Sequence, residues 1–159
     1  IARRYYHESM EIAKQDGNAI SVIICLAGFA LCEVMAKNSE AKTYLRESIQ
    51  MSQQIHFYEA LAWSMEIWAL VSINEGRYVH AVTLMGAVDH LRETTQLPVW
   101  DDLHAIILDA NVQLHKLLGD DEFNHAWDQG VNMNLDRMLE YAMEESVEEI
   151  KTGLVEQSH

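Results

Sequence analysis

The chain has 159 residues, 49% of them hydrophobic, and a formal net charge of −14 from 11 basic and 25 acidic side chains. That is about one domain's worth of chain, with enough apolar content for a continuous core. The acidic balance argues against direct contact with a nucleic-acid backbone or an anionic membrane, since both need clustered Lys and Arg.

One proline and seven glycines permit long helices. No run of alternating polarity lies between turn residues, so the predicted class is all-α, with short connections and antiparallel neighbours. The first helix spans Ala2 to about Gln15 and is broken by Asp16-Gly17-Asn18. The second covers about Ala19 to Ala36 and ends at Lys37-Asn38-Ser39. Only Ser21 and Glu33 are clearly polar there. A stretch of this length could nominally span a bilayer, but Glu33 would sit in hydrocarbon at a cost of a few kcal/mol. A helix apolar all round is equally one sandwiched between neighbours. The third helix runs from Glu40 to about Ile55, and the fourth from about Phe57 to Asn74, stopped by Glu75-Gly76. The fifth is Tyr78 to about Thr95, ahead of Leu97-Pro98-Val99, where proline disfavours helix at the preceding residue. Asp101 and Asp102 suit the next N-terminus by capping and dipole, and that helix ends at Leu118 with Gly119 as its C′ residue. A short seventh helix covers about Asp121 to Gln129, and 130–134 forms a loop in which Asn134 caps an eighth helix, Leu135 to about Ser146. Residues 1–146 are expected to form one helical repeat domain and 147–159 an acidic, fraying tail. The chain starts at Ile1, partway through a helical pattern, and is read as a piece of a longer protein.

A repeat organises these helices. Ala2, Tyr6 and Ser9 reappear 39 residues later as Ala41, Leu45 and Ser48, and a weaker copy follows at Ala81, Met85 and Val88. Positions i, i+4 and i+7 share one helix face. A small first residue admits a close partner helix, and a large second one fills the space beside it. The preceding helices carry Phe29-Ala30 and Trp68-Ala69, also 39 apart. Each such dyad lies 11 or 12 residues before the next alanine, so the two helices fold back on each other. Self-similarity at this period signals a solenoid of helix pairs, an architecture that binds more often than it catalyses.

Dyad, turn, alanine and large residue in this order resemble a tetratricopeptide repeat, whose usual period is about 34; Gly76-Arg77-Tyr78-Val79-His80-Ala81 resembles that repeat's turn. Leu84-Met85-Gly86-Ala87-Val88-Asp89-His90-Leu91-Arg92-Glu93 resembles an "LLGAAEALRE" helix. Leu118-Gly119-Asp120, Phe123, Ala126-Trp127, Gly130, Met133, Leu135, Leu139 and Tyr141-Ala142 are similar to an "LG…F..AW..G..M.L…..A" ending. Together they resemble the C-terminal helical repeats of bacterial LuxR-type regulators built on a STAND-class ATPase. The resemblance implies an α-α superhelix of about eight helices serving as sensor and interaction surface, with the ATPase and DNA-binding modules elsewhere. This chain shows neither a phosphate-binding loop nor a helix-turn-helix. It departs from the pattern at Lys37-Asn38-Ser39, which lacks the turn glycine, and at the "LRE" helix, where a proline-rich continuation is reduced to Pro98.

Nothing in the spacing proposes catalysis. The eight histidines form no HExxH, and no paired-Cys motif accompanies them; they are read as surface or cap residues. No catalytic residue, metal or cofactor is therefore expected. Cys25 and Cys32 lie seven apart, roughly 10 Å along a helix at ~1.5 Å per residue, too far for a disulfide. They are read as small buried residues in a reducing, cytoplasmic compartment. Trp68 and Trp127 fall on motif positions and are expected in the core. The first helix of each pair should line a concave groove: Ile24, Ala27, Leu31 and Val34, then Trp63, Glu66, Ile67, Leu70 and Ile73, with His104, Asn111 and His115 extending it. The candidate site is Trp63, Glu66, Ile67, Leu70, His104, Asn111 and His115, taking a protein or peptide segment or a small-molecule effector. The run Glu140, Glu144, Glu145, Glu148 and Glu149 reads as a solvated face. The expected function is a non-catalytic sensing module of a bacterial regulator. A self-association module, forming a homodimer over the stripe Tyr6, Met10 and Ala13, is the alternative, and a small helical metal hydrolase is a remote one.

Overall fold

A computed structural model describes residues 1–144. Glu145, Ser146, Glu148 and Glu149, with the rest of the acidic tail, lie outside the described residues. Eight helices and no strand are present among the described residues: α1 (Ala2–Gln15), α2 (Ala19–Met35), α3 (Ala41–Gln54), α4 (Tyr58–Asn74), α5 (Tyr78–Thr95), α6 (Asp101–Leu118), α7 (Asp120–Val131) and α8 (Leu135–Met143). The architecture is an all-α superhelical stack of antiparallel hairpins. Consecutive helices from α1 to α7 pack on one another, α2 touches α4 across the stack, and α4 touches α6.

Four turns repeat one device. At the ends of α1 to α4 the chain enters the left-handed region at Gly17, Lys37, His56 and Gly76. In each, the next amide reaches back to a carbonyl five residues earlier: Asn18 N to Ala13 O at 2.9 Å, Asn38 N to Glu33 O at 2.8 Å, Phe57 N to Ser52 O at 2.9 Å and Arg77 N to Ser72 O at 2.8 Å. These closures satisfy the helix's last carbonyls and reverse the chain within a few residues. Lys37 adopts the same conformation as the glycines despite its Cβ, so the turn that lacked a glycine in the sequence keeps the geometry.

The repeated residues of the second and third copies occupy matching places. Ala41 and Ala81 are 1% and 0% exposed, and Phe29, Ala30, Leu45, Trp68, Ala69 and Met85 are all buried. Ser48 is buried because its hydroxyl meets Ser64 Oγ of α4 at 3.1 Å. Ala2 and Tyr5 are exposed. Met10 and Ala13 lie under α2 with Val22, Cys25, Leu26 and Phe29, so α2 of the same chain covers these two residues of the stripe named for self-association. Cys32 is only half-buried. Glu33, 1% exposed, is compensated by Arg3 at 3.0 Å and Asn38 Nδ2 at 2.7 Å. No helix among the described residues is long and apolar enough to cross a membrane.

The C-terminal part departs from the simple stack. α7 runs along α5 in the most extensive helix contact among the described residues, and α8 returns onto α5 and α4. Two glycines set that crossing: a Cβ on Gly86 would stand 2.5 Å from Trp127 O, and one on Gly130 would collide with Thr83 O and stand 2.7 Å from Ala87 N. Gly130 therefore lies inside α7, not in the expected loop. Gly119 (φ 80, ψ 167) is the single residue joining α6 to α7, in a region essentially restricted to glycine. Asp101 and Asp102 lie within the first turn of α6; the cap residue is Trp100 and no side chain caps the end. Asn134 caps α8 by accepting from Arg137 N at 2.8 Å.

Candidate functional site

Helix α2 carries an open apolar face on the inner row α2–α4–α6. Ile20, Ile24 and Met35 are 51%, 43% and 61% exposed, and Leu31 between them is half-buried. Their spacing, i, i+4, i+11 and i+15, keeps all four on one side. Ala27 and Val34 are buried beneath this face. Gly28 lies within it, and the Tyr6 ring of α1 fills the space a Cβ would need. Burial first, then the charges of Cys32, Cys25 and Asp102, push the Tyr6 hydroxyl above its ordinary pKa; Asp102, on the first turn of α6, is thus within electrostatic reach of α1.

On α4 the matching face is Trp63, Leu70 and Ile73. Trp63 and Ile73 are half-buried and Leu70 is 7% exposed. Trp63 packs edge-on against Phe57 (5.8 Å, 77°) and Trp100 (6.0 Å, 71°). Its Nε1 is buried and finds no hydrogen-bond partner among the described residues, and Asn111 Oδ1 of α6 is in the same state. Ile67 is fully buried and belongs to the core, so it lines no groove.

Glu66 behaves differently from a groove residue. It is buried and takes a two-pronged contact from Arg92 of α5, Nη2 to Oε2 at 2.8 Å and Nε to Oε1 at 3.2 Å. Arg92 also donates to Pro98 O at 2.5 Å. One guanidinium thereby ties α4, α5 and the α5–α6 connection together. Burial raises the Glu66 pKa despite the Arg92 hydrogen bond and charge, and His104 acts on it in the same lowering direction. His104 also acts on Asp89. Trp63, Glu66 and His104 therefore meet at the α5–α6 connection, joined by Arg92, Trp100 and Asp89, which the sequence reading had not placed there. The available signal was Glu66 itself, an acid on an otherwise apolar helix that needs a buried cation.

His115 instead packs on α7. His115 stacks flat on Phe123 (4.4 Å, 3°), its Nε2 lies 2.6 Å from Asp120 Oδ1, and Phe123 stacks on Trp127 in turn. The expected extension of the groove along His104, Asn111 and His115 is thus divided between two neighbours.

His80 corrects the reading of the histidines as surface residues. It is 7% exposed and stacks on Tyr141 of α8 (4.5 Å, 21°). Nε2–H donates to Tyr141 O at 2.7 Å, which leaves Nδ1 to accept from the Ser72 hydroxyl at 2.8 Å. Burial lowers its pKa from 6.5 to about 4, so the ring is neutral at pH 7. Its role is to fasten α8. No group of three or more His, Cys, Asp or Glu is placed to hold a metal ion among the described residues.

Over 92 residues, 56% of this chain, the sequence is 28% identical to a protein of Mycobacterium bovis and to proteins of two Mycobacterium tuberculosis strains, each named as a candidate HTH-type transcriptional regulator. The chain spans about 10% of the length of these curated relatives. No family model and no solved structure matches.

Proposed function

We propose that this chain is a non-catalytic, tetratricopeptide-like sensing module of a LuxR-type transcriptional regulator. Its α2–α4 groove takes an apolar protein segment whose occupancy biases the rest of the regulator. The reading is supported by similarity to transcriptional regulators over more than half the chain. The observation that carries it is the exposed face of Ile20, Ile24, Leu31 and Met35 beside half-buried Trp63. A row of aliphatic side chains at helical spacing suits the apolar face of an incoming helix. The acidic balance of the chain favours a segment with basic flanks.

The test uses the regulator that carries this domain. Ile24→Glu alters an exposed side chain and should leave the fold intact. It is expected to abolish pull-down of the partner segment and to change reporter transcription, and Trp63→Ala should weaken both. Unchanged pull-down and transcription in Ile24→Glu would overturn the groove.

A further inference from the structure

Helix α6 ends the inner row. It packs on α4, α5 and α7, whereas α7 and α8 return onto α5, so among the described residues no helix covers its outer flank. That flank reads Asp101, Ala105, Leu108, Val112 and Lys116, at i, i+4, i+7, i+11 and i+15, all exposed. Leu108 and Val112 are each 52% exposed. Leu108 borders the side carrying His104, Asn111 and His115, at i+4, i−3 and i−7 from them, and Asp101 and Lys116 form no ion pair among the described residues.

The order of residues is self-complementary. The stripe is acidic at its N-terminal end, apolar in the middle and basic at its C-terminal end, and its outer positions, 101 with 116 and 105 with 112, are symmetric about the point between Leu108 and exposed Asp109. Turned through a two-fold axis at that point, a second α6 lies antiparallel. Asp101 then faces the partner's Lys116, Ala105 faces the partner's Val112, and Leu108 lies beside the axis, next to the partner's Leu108 and the partner's Asp109. A two-fold interface requires one patch that matches itself, and here the charge pattern rejects the parallel arrangement, which would place Asp101 against Asp101.

We infer that the α6 flank is a homodimer interface, occupied by a second copy of this chain in antiparallel register. A single helix pair lies at the low end of interface size, so association should be reversible and micromolar. The proposal is independent of the α2–α4 groove.

Sedimentation equilibrium from about 1 to 500 µM tests it. A concentration-dependent dimer is expected. Leu108→Glu places two more negative charges beside the axis, next to the two Asp109 side chains, and should weaken association at least about tenfold. Lys116→Asp changes two symmetry-related pairs from attraction to repulsion and should weaken it roughly tenfold. Asp101→Lys with Lys116→Asp restores both pairs and should recover the parent affinity. Circular dichroism of Leu108→Glu should be unchanged, since the side chain is exposed. A monomer throughout the range overturns the proposal, as does a dimer indifferent to Leu108→Glu. A dimer lost in Tyr5→Glu instead would place the contact on α1. Failure of the double swap to rescue would reject the antiparallel register.

Discussion

Gly130→Ala tests the crossing of α5 and α7. In an ordinary helix interior this change stabilises by up to ~1 kcal/mol, because glycine is the poorer helix former. Here the added methyl would run into the Thr83 carbonyl oxygen and stand 2.7 Å from Ala87 N and 2.9 Å from Thr83 C. Carbon contacts are comfortable at about 3.5–4.0 Å, so the helices must separate by roughly 1 Å. The obstacles are backbone atoms of a neighbouring helix, so no side chain can rotate aside. Overpacking of this kind costs about 1–3 kcal/mol, and the rigid surroundings place it at the upper end. After the helix-propensity gain, the expected net loss is about 2 kcal/mol, a fall of roughly 4–8 °C in Tm for a chain of this size. Urea denaturation followed by circular dichroism should show a lower midpoint with an unchanged slope. Gly86→Ala, whose Cβ would meet Trp127 O at 2.5 Å, should also destabilise. The double variant should cost less than the two singles together, because one separation of the helices relieves both collisions. A Gly130→Ala protein as stable as its parent would refute the close crossing.

The Glu66–Arg92 contact gives a second expectation: Arg92→Ala strands a buried carboxylate and should cost about 3–5 kcal/mol in chemical denaturation, whereas Glu66→Gln with Arg92→Met should recover most of that. Lys37→Gly removes the left-handed strain of a residue with a Cβ and should raise stability by about 0.5–1 kcal/mol; a decrease would argue against the closure at the end of α2. His80 predicts a pH dependence. Its folded pKa of about 4 lies below the unfolded 6.5, so the unfolded chain binds more protons between those values and stability is lost as pH falls from 6.5 to 4. The window corresponds to roughly 3 kcal/mol. Glu66, whose folded pKa is raised, contributes the opposite slope just above its unfolded pKa. Thermal melts at pH 7 and pH 5 should therefore differ less in His80→Leu than in the parent.

Helical periodicity, the 39-residue echo and the scarcity of turn residues determine the helix order and the inward face of α3, α4 and α5. Local capping and burial of one face depend on residues a few positions apart, and these are visible along the chain. Ala41 and Ala81, Trp68-Ala69 and Asn134 could thus be assigned from sequence. The candidate site was legible only in part. Trp63 and Leu70 share a face by spacing alone, but spacing does not say how much of that face a neighbour covers, so Ile67 and Glu66 were grouped with them. Arg92 reaches Glu66 from another helix, His80 is buried by α8 and His115 is covered by α7. Each of these placements depends on where distant helices come to rest. Gly86 and Gly130 appear in sequence as family letters, and only their apposition explains why a side chain would not fit. Tertiary structure decided these matters because packing joins residues tens of positions apart, and neither periodicity nor local propensity carries that distance.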